Sequence, residues 1–405
     1  MSKRRIDQVD VRGKRVLMRV DFNVPLKDGS ITDDRRIRMA MASIESVLSR
    51  GGRLVLMSHL GRPAGKGFEK EFTLEPCATR LGELLGPKVR GGRVLFPSHD
   101  CVDGAATAAV NMLGDGECLL LENLRFHKAE QKGDPSFATK LAAHGDIYCN
   151  DAFGTCHRAD VSMVAAPRAM GDKPKVCGFL VEKEIRYLSG ALASPKRPFA
   201  VVLGGAKVSD KLPAIENLLP KADHVLIGGA MAYTFLKAQG RKVGASRVEE
   251  DKLDAARAIL EHASRGSCRV HLPMDHVCAA AFEEKAAPSV ASGDILDGMM
   301  GLDIGPATIK AYGDVLRSAG TIVWNGPMGV FEWSSFAAGT KAIGAALVAA
   351  TAAGATTIVG GGDSAAAAEE FGIAEQLSHV STGGGAGLEM LEGKRFESVD
   401  LLDPA

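Results

Sequence analysis

The sequence predicts an α/β protein with two doubly wound, mostly parallel sheets, one in each of two domains. The chain has 405 residues, which is too long for one ordinary domain core. Short runs rich in aliphatic and β-branched residues alternate with helical patterns along its whole length. In the first half these runs end in charged or amide side chains, and in the second half they end in glycines. Two ligand sites of different chemistry are therefore expected.

The overall composition indicates a soluble globular protein, with 46% hydrophobic and 24% charged residues. Lys plus Arg and Asp plus Glu are 49 each, so no net charge favours nucleic acid or an anionic membrane as a partner. The eight cysteines lack zinc-site spacing, so buried thiols in a reducing compartment are expected. The N-terminus has no apolar segment of a signal peptide, so we predict a cytoplasmic location.

One uncharged stretch, AIGAALVAATAAGATTIVGGG at 342–362, is long enough to cross a bilayer. It consists mainly of Ala, Gly and Thr, and Gly354 divides it into a helical part and a strand-like part. We therefore predict a helix, a turn and a strand here, and no membrane segment.

The predicted strands occur in chain order in both halves. In the first half they are RVLMRVDFNVP, RLVLMSHLGRP, ECLLLENLRFH and IYCNDAFGTCHR. In the second half they are FAVVLGGAKVSDK, HVLIGGAMAYTF, RVHLPMDHV, TIVWNGPMGVFE, TTIVGGGDSAAA and HVSTGGGAG. Between the halves, a helix is predicted from about Val181 to Ala193, followed by a linker bounded by prolines. The domains are therefore placed at 1–180 and 196–388, with 181–195 as the connecting helix and linker.

Ligands of parallel sheets bind beyond the carboxyl ends of the strands, so the residues that follow each run are the candidates. Guanidinium groups bind phosphate and carboxylate in a bidentate manner. The first half offers a set of such candidates, namely Arg36, His59, Arg62, Arg125 and Arg158. Each arginine alone is typical of a solvated surface charge, whereas the set indicates a shared anion site. Asp21 and Asn23 either orient these arginines or bind a substrate hydroxyl, and the pattern does not separate the two interpretations.

Two well-known nucleotide motifs are absent. GRPAGKG at 61–67 is one residue too short for a P-loop, and Gly67 stands where Ser or Thr would hold Mg²⁺. Neither GGGDS nor STGGGAG has the dinucleotide-binding spacing. A Walker-type NTPase and a Rossmann dehydrogenase are both disfavoured.

Two segments of the second half remain candidates for phosphate and metal binding. A helix starting after Gly205 would place Lys207 and Lys211 on one face, beside its positive N-terminal end. The alternative is a surface helix with exposed lysines. Asp363 follows three glycines and precedes Ser364. It either caps a helix or coordinates Mg²⁺ beside nucleotide phosphates, and the preceding glycines favour the metal.

Nine motifs, in order across essentially the whole chain, resemble the phosphoglycerate kinase family. They are RVDFNVP, SHLGRP, LLLENLRF, NDAFGTCHR, LGGAKVSDK, MGLDIGP, WNGPMGVFE, VGGGDS and STGGGAGLEMLEG. The resemblance implies two α/β domains that face each other across a cleft and are joined by a hinge helix. It also implies that a C-terminal segment, 389–405, packs back on the N-terminal domain.

The resemblance implies roles residue by residue. The phosphoglycerate would be held in the N-terminal domain by Asp21, Asn23, Arg36, His59, Arg62, Arg125 and Arg158. The nucleotide would be held in the C-terminal domain by Gly205, Lys211, Gly301, Asn325, Glu332, Gly361, Gly362, Asp363 and Ser364. Asp363 would bind Mg²⁺, and Lys207 and Arg36 would be catalytic.

The implied reaction is the reversible, Mg²⁺-dependent, in-line transfer of the acyl phosphate of 1,3-bisphosphoglycerate to ADP, a step of glycolysis and gluconeogenesis. It gives 3-phosphoglycerate and ATP without a phosphoenzyme, and a hinge-bending monomer is implied. Two departures from the family pattern are Cys156 in place of Ala and Gly387 in place of Ser. The alternatives are a non-catalytic two-domain anion-binding protein, which would need neither Lys207 nor Asp363, and another small-molecule kinase.

Overall fold

The computed structural model describes residues 2–405, apart from the side chain of residue 191. By its internal contacts the chain divides into two compact units, one formed by residues 2–186 with 395–405 and the other by residues 187–394. The boundary between them falls inside the helix Phe179–Ala193, where a helix was predicted. The predicted domain limits at 180, 195 and 388 stay predictions.

The first unit is built on a six-stranded parallel sheet. Its strands, in spatial order, are Val94–Leu95, Cys118–Leu120, Arg53–Met57, Arg15–Val20, Ile147–Asp151 and Lys175–Cys177. The four long runs of the first half are confirmed as strands, and the two short outer strands were not predicted. A two-stranded hairpin, Leu26–Lys27 with Ser30–Ile31, follows the strand Arg15–Val20 in the chain.

Helices cover this sheet because their apolar residues recur at helical spacing. In Arg35–Leu48, for example, Ile37, Ile44 and Val47 are buried in the core. The other helices of this unit are Glu75–Leu85, Gly104–Met112, Pro135–Ala142, Ala166–Ala169 and Glu397–Asp400. The last of these places the C-terminal segment in this unit, where the Ser398 hydroxyl donates to the carbonyl of Cys156 at 2.7 Å.

The second unit also contains a six-stranded parallel sheet. In spatial order its strands are Arg269–His271, His224–Ile227, Phe199–Leu203, Thr321–Asn325, Thr356–Gly360 and His379–Val380. Its helices are Leu212–Leu218, Met231–Ala238, Leu253–Arg265, Pro306–Ser318, Ala338–Ala352, Gly362–Glu370 and Gly385–Leu391. The stretch 342–362 forms a helix, a turn at Gly354 and a strand, as predicted. Among the described residues, no helix is long and apolar enough to span a membrane.

The run RVHLPMDHV was predicted as one strand of the parallel sheet, and this was wrong. The parallel strand ends at His271, and Pro273 follows, which has no N–H to donate to a neighbouring strand. The chain then forms Asp275–Ala279, which pairs antiparallel with Ser289–Ser292 and Met300–Ile304 in a separate three-stranded sheet. This small sheet supplies residues to the site of the second unit.

Candidate active site

In the first unit, the predicted anion-binding residues gather at the carboxyl ends of the parallel strands. His59 follows the strand Arg53–Met57 and is buried, with its side chain 3% exposed. Its Nδ1 atom lies 3.0 Å from a terminal nitrogen of Arg19 and 4.0 Å from Oδ1 of Asp21. Asp21 in turn pairs with the guanidinium of Arg36. The ends of two strands, Arg15–Val20 and Arg53–Met57, and one helix therefore contribute to a single charged cluster.

Positive charge dominates this cluster. The pKa of His59 is held well below its usual range, first by burial and then by the charges of Arg19, Arg125, Arg158 and Arg36. The imidazole is therefore neutral near pH 7 and acts as a polar contact among cations. Since four arginines act on one buried ring, the set of charges converges on one place, as expected for an anion site.

Arg125 is the most enclosed of the predicted arginines. One terminal nitrogen donates to the carbonyl of Gly61 at 2.9 Å. Nε and the other terminal nitrogen are buried and, within residues 2–405, donate to no acceptor, although a carboxylate oxygen of Asp160 lies 3.9 Å from the terminal nitrogen. Burial and the charge of Arg158 lower the pKa of Arg125. Two buried donors without an acceptor are what a bound anion would satisfy.

The remaining predicted residues differ in their surroundings. The Asn23 side-chain oxygen accepts from the backbone N–H of Gly61 at 2.8 Å, so it shapes the loop that contains Arg62. Arg62 is exposed. Arg158 is half-buried, and its Nε contacts Nε2 of His157 at 3.4 Å.

Sequence reasoning missed a buried polar network that supports this cluster. Arg19 is fully buried, and its Nε donates to the Ser162 hydroxyl oxygen at 2.9 Å. That hydroxyl donates to the carboxylate of Glu130 at 2.5 Å, and the Ser162 N–H donates to the same carboxylate at 3.1 Å. Burial raises the pKa of Glu130 to about 7, against the charge of Arg19, which lowers it. The only sequence signal was Arg19 itself, a charge inside an apolar strand.

In the second unit, the loop Gly204–Lys211 corrects one prediction. The expected helix after Gly205, with Lys207 and Lys211 on one face, does not form there. The helix begins at Leu212, with Pro213 in its first turn. A helix running from residue 206 would put that proline in its interior, where the ring clashes with the preceding turn. The two lysines therefore lie on a loop, where Lys207 is exposed and Lys211 is half-buried.

The backbone of this loop packs closely on the neighbouring strand ends. A Cβ on Gly204 would lie 2.1 Å from the carbonyl oxygen of Pro327, so only glycine fits. Gly205 has a positive φ of 103° and donates its N–H to the same carbonyl at 3.0 Å. The loop is thereby fixed at the end of the sheet.

A cavity of about 500 Å³ lies beside this loop. Four of the predicted nucleotide-binding residues line it, namely Gly205, Gly301, Glu332 and Asp363. Its wall also includes apolar residues that were not predicted, among them Phe282, Leu302 and Val330, together with the cation Arg247. Phe282 is 61% exposed, and its ring contacts that of Trp333 at 4.6 Å. The sequence signal available for Phe282 was an aromatic residue next to a charged segment, since Glu283, Glu284 and Lys285 follow it.

Lys211 and Asn325 form a contact at the same strand ends. The Lys211 ammonium donates to the side-chain oxygen of Asn325, which is fully buried. The amide nitrogen of Asn325 is buried and has no hydrogen-bond partner in the described part of the chain. Burial lowers the pKa of Lys211, and the charges of Asp210, Asp363 and Glu392 oppose this.

Asp363 lies in the first turn of the helix Gly362–Glu370, while the residue at the N-cap is Gly361. Simple helix capping therefore does not explain Asp363. Its carboxylate is exposed and borders the cavity. Ser364 is buried, and its oxygen accepts from the N–H of Gly326 at 2.5 Å, which joins this helix to the strand that carries Asn325.

These residues fit a magnesium–nucleotide complex. Mg²⁺ in such sites takes one or two carboxylates and completes its coordination with phosphate oxygens and water. The exposed carboxylate of Asp363 at a helix N-terminus beside the cavity is a suitable ligand. Within residues 2–405, the one group of three potential metal-ligating side chains lies elsewhere, so the other ligands here would come from phosphate and water.

Cys156, one of the two departures from the expected family pattern, is buried and 2% exposed. Burial raises the pKa of its thiol to about 12. A thiol with these properties is unreactive towards oxidants, so the structure favours a packing role.

Comparisons of the sequence and of the structure with known proteins match the same family. The sequence model of the phosphoglycerate kinase family matches residues 6–394. A phosphoglycerate kinase of Rhodopirellula baltica is 55% identical over the whole of both chains, and one of Chloroherpeton thalassium is 50% identical over the whole of both chains. Among solved structures, the phosphoglycerate kinase of Coxiella burnetii is 38% identical and covers 98% of both chains with a TM-score of 0.89. That of Pyrococcus horikoshii OT3 is 33% identical, with the same coverage and a TM-score of 0.82.

Proposed function

The chain belongs to the phosphoglycerate kinase family, and from this premise we propose how its residues divide the work of the reaction. The reaction is the reversible transfer of the acyl phosphate of 1,3-bisphosphoglycerate to ADP, which yields 3-phosphoglycerate and ATP. The non-catalytic anion-binding alternative is not favoured, because the relatives described above are kinases.

The phosphoglycerate binds in the first unit at the arginine cluster. The observation that carries this assignment is the arginine set around the buried ring of His59, which Arg19 contacts at 3.0 Å and whose pKa the charges of Arg125, Arg158 and Arg36 also lower. The two unsatisfied donors of Arg125 receive anionic oxygens, and Arg62 adds an exposed cation at the rim. Asp21 holds Arg36 in place and Asn23 holds the backbone of the loop, so both position the cations.

The nucleotide binds in the second unit, in the cavity beside Gly205. The apolar wall of Phe282, Leu302 and Val330 suits the base, and the carboxylate of Glu332 suits ribose hydroxyls. Gly301 lets the side chain of Tyr233 pack against the backbone at the cavity wall, since a Cβ there would lie 1.9 Å from the Tyr233 hydroxyl. The phosphates lie along the glycine-rich strand ends near Lys211, Asn325, Gly361, Gly362 and Ser364.

Phosphoryl transfer leaves little covalent chemistry to the protein, which positions the reactants and stabilises charge. Lys211 holds the nucleotide phosphates in the ground state, since it is already fixed by Asn325. Lys207 is exposed on the same loop and is free to meet the group in transfer, together with Arg36. Mg²⁺ bound by Asp363 would supply additional positive charge to the phosphate oxygens. No side chain acts as a nucleophile, so no phosphoenzyme forms.

We also propose that the enzyme acts as a monomer in the cytoplasm, within glycolysis, with Mg²⁺ and ATP or ADP as its cofactor and co-substrate. Membership of the phosphoglycerate kinase family supports these assignments, and the balanced charge favours neither nucleic acid nor an anionic membrane as a partner.

The division between the two sites is tested by Arg36→Ala. Calorimetry should find weakened binding of 3-phosphoglycerate and unchanged binding of MgADP, with turnover lost. An Arg38→Ala variant, on the same helix and paired with Asp34 at its surface, is the matched control and should behave as wild type. If Arg36→Ala lost equal affinity for 3-phosphoglycerate and for MgADP, the assignment of Arg36 to the phosphoglycerate site would be contradicted.

A further inference from the structure

A second cluster of metal-ligating side chains lies in the first unit. The parallel strands Val94–Leu95 and Cys118–Leu120 are neighbours, so their carboxyl ends meet at one edge of the sheet. The loop after the first strand carries Asp100 and Cys101. His127 follows the second strand, after one helical turn at Leu124–Phe126. The fold therefore brings together a carboxylate, a thiol and an imidazole that are distant in sequence.

The geometry of the three side chains suits a small cation. One carboxylate oxygen of Asp100, the sulfur of Cys101 and a ring nitrogen of His127 lie within 4.8 Å of one another. Ligand atoms at zinc bond lengths in a tetrahedral site are about 3.3–3.8 Å apart. Nε2 of His127 lies 3.0 Å from Oδ2 of Asp100. The cluster is thus close to coordinating distances before any rearrangement.

The ring nitrogen of His127 carries an independent sign of a ligand. Nε2 is buried and makes no hydrogen bond to any described residue, because the nearby carboxylate is not aligned for one. The Phe137 ring packs on the imidazole at 4.9 Å and fixes its orientation. A buried ring nitrogen that makes no hydrogen bond and lies 3.0 Å from a carboxylate is available to coordinate a cation.

The other two ligands are also held in place. The second oxygen of Asp100 accepts from the Val102 N–H at 2.8 Å, and the Asp100 N–H donates to the Ser98 hydroxyl oxygen at 3.2 Å. Cys101 is fully buried, whereas the Asp100 side chain is 36% exposed and that of His127 is 28% exposed. The cluster is thus rigid and still reachable from solvent.

We propose that Asp100, Cys101 and His127 bind a thiophilic divalent cation such as Zn²⁺, with water completing the coordination. Thiolate and imidazole ligands select zinc-like ions over Mg²⁺, so this site differs in chemistry from the nucleotide site. The carboxylate and the thiolate would together neutralise the charge of the ion. Its binding releases the thiol proton, which burial and the charge of Asp100 retain in the metal-free protein.

A metal ion bound at this cluster would also restrain the segment from Arg125 to Glu130. The carbonyl of His127 accepts from the Glu130 N–H at 3.1 Å, and Arg125 is two residues away. A metal at His127 therefore restrains the stretch that connects the anion-binding Arg125 with the buried Glu130. Its role is one of stability and positioning, since the ion would not contact the substrates.

The test uses Co²⁺ as a spectroscopic probe on the full-length, metal-free protein. One equivalent of Co²⁺ should give a thiolate-to-cobalt charge-transfer band that Zn²⁺ abolishes and Mg²⁺ leaves unchanged. Cys101→Ser should lose the band, and Asp100→Asn and His127→Gln should weaken binding by about 100-fold. Cys77→Ser is the matched control, because its hydroxyl can keep the weak bond to the Phe22 carbonyl. It should keep the full band.

A replacement variant and a competing histidine pair complete the experiment. If Cys101→Ser does not fold, as judged by near-ultraviolet circular dichroism, the partly exposed Asp100→Asn variant takes its place. The paired rings of His224 and His271, with nitrogens 3.0 Å apart, are the competing metal site. Cobalt binding that survives in Asp100→Asn and His127→Gln but disappears in His224→Gln would overturn the proposal, as would a charge-transfer band absent from wild type.

Discussion

Replacing Lys211 with methionine should weaken MgADP binding by about 10- to 150-fold. The Lys211 ammonium is half-buried at the strand ends to which we assign the nucleotide phosphates, and it has the Asn325 side-chain oxygen as its hydrogen-bond partner. Hydrogen bonds to charged groups contribute about 1.5–3 kcal/mol, and each 1.4 kcal/mol corresponds to a factor of ten in affinity. Methionine keeps the length of the side chain and removes its charge, so the change isolates the electrostatic contact.

The same substitution should cost less than about 3 kcal/mol in the free energy of unfolding, because two effects oppose each other. Burial lowers the pKa of Lys211, so removing the charge relieves a desolvation cost. However, the side-chain oxygen of Asn325 then loses its donor, and its amide nitrogen already has no partner among the described residues. Urea denaturation should therefore show a folded variant with modestly reduced stability.

Calorimetry with MgADP separates the two lysines. Lys207→Met, the matched control on the same loop, removes an exposed charge and should leave ADP affinity nearly unchanged. Lys211→Met should show the large loss. Wild-type ADP affinity in folded Lys211→Met, or a larger loss in Lys207→Met, would refute the assigned division of roles.

Two other substitutions test the interior of each unit. The folded-state pKa of Glu130 is raised to about 7 from 4.5, so its stabilising contribution is present below pH 4.5 and is lost as the pH rises through 7. Wild type should therefore lose about 3 kcal/mol more than Glu130→Gln between pH 4.5 and 8, and parallel stability curves by urea denaturation would contradict this. Gly301→Ala forces a Cβ against Tyr233 and should cost about 1–3 kcal/mol and weaken ADP binding, whereas Gly104→Ala, with open space around it, should do neither.

The parallel strands and the charged residues at their ends could be predicted because each depends on a short, contiguous stretch of sequence. Apolar runs such as RVLMRV and FAVVL are buried on both sides of a sheet, and this makes them continuous and easy to recognise. Arg125 and Arg158 could be predicted to lie near each other because parallel strands end at one edge of the sheet. This prediction needed only the parallel direction of the strands and the positions of the arginines just after them.

The missed features depend on contacts between distant segments. Glu130 lies in a polar stretch, HKAEQKGD, and only the fold buries it against Ser162 and Arg19. The apolar wall of the cavity beside Gly205 comes partly from the separate antiparallel sheet, which the alternation of strands and helices did not reveal. The helix expected after Gly205 does not form for a local reason, since Pro213 would lie in its interior.

A coupled assay of wild type and Lys207→Ala tests the proposed phosphoryl transfer most directly. Both would receive MgATP and 3-phosphoglycerate, and formation of 1,3-bisphosphoglycerate would be read through oxidation of NADH. Removal of one electrostatic stabiliser of a transferring phosphoryl group should lower kcat by roughly 10²–10⁴ while ADP affinity changes little. A folded Lys207→Ala enzyme with near-normal kcat would contradict the assigned role of the loop, and a folded wild type without turnover would contradict the proposed function itself.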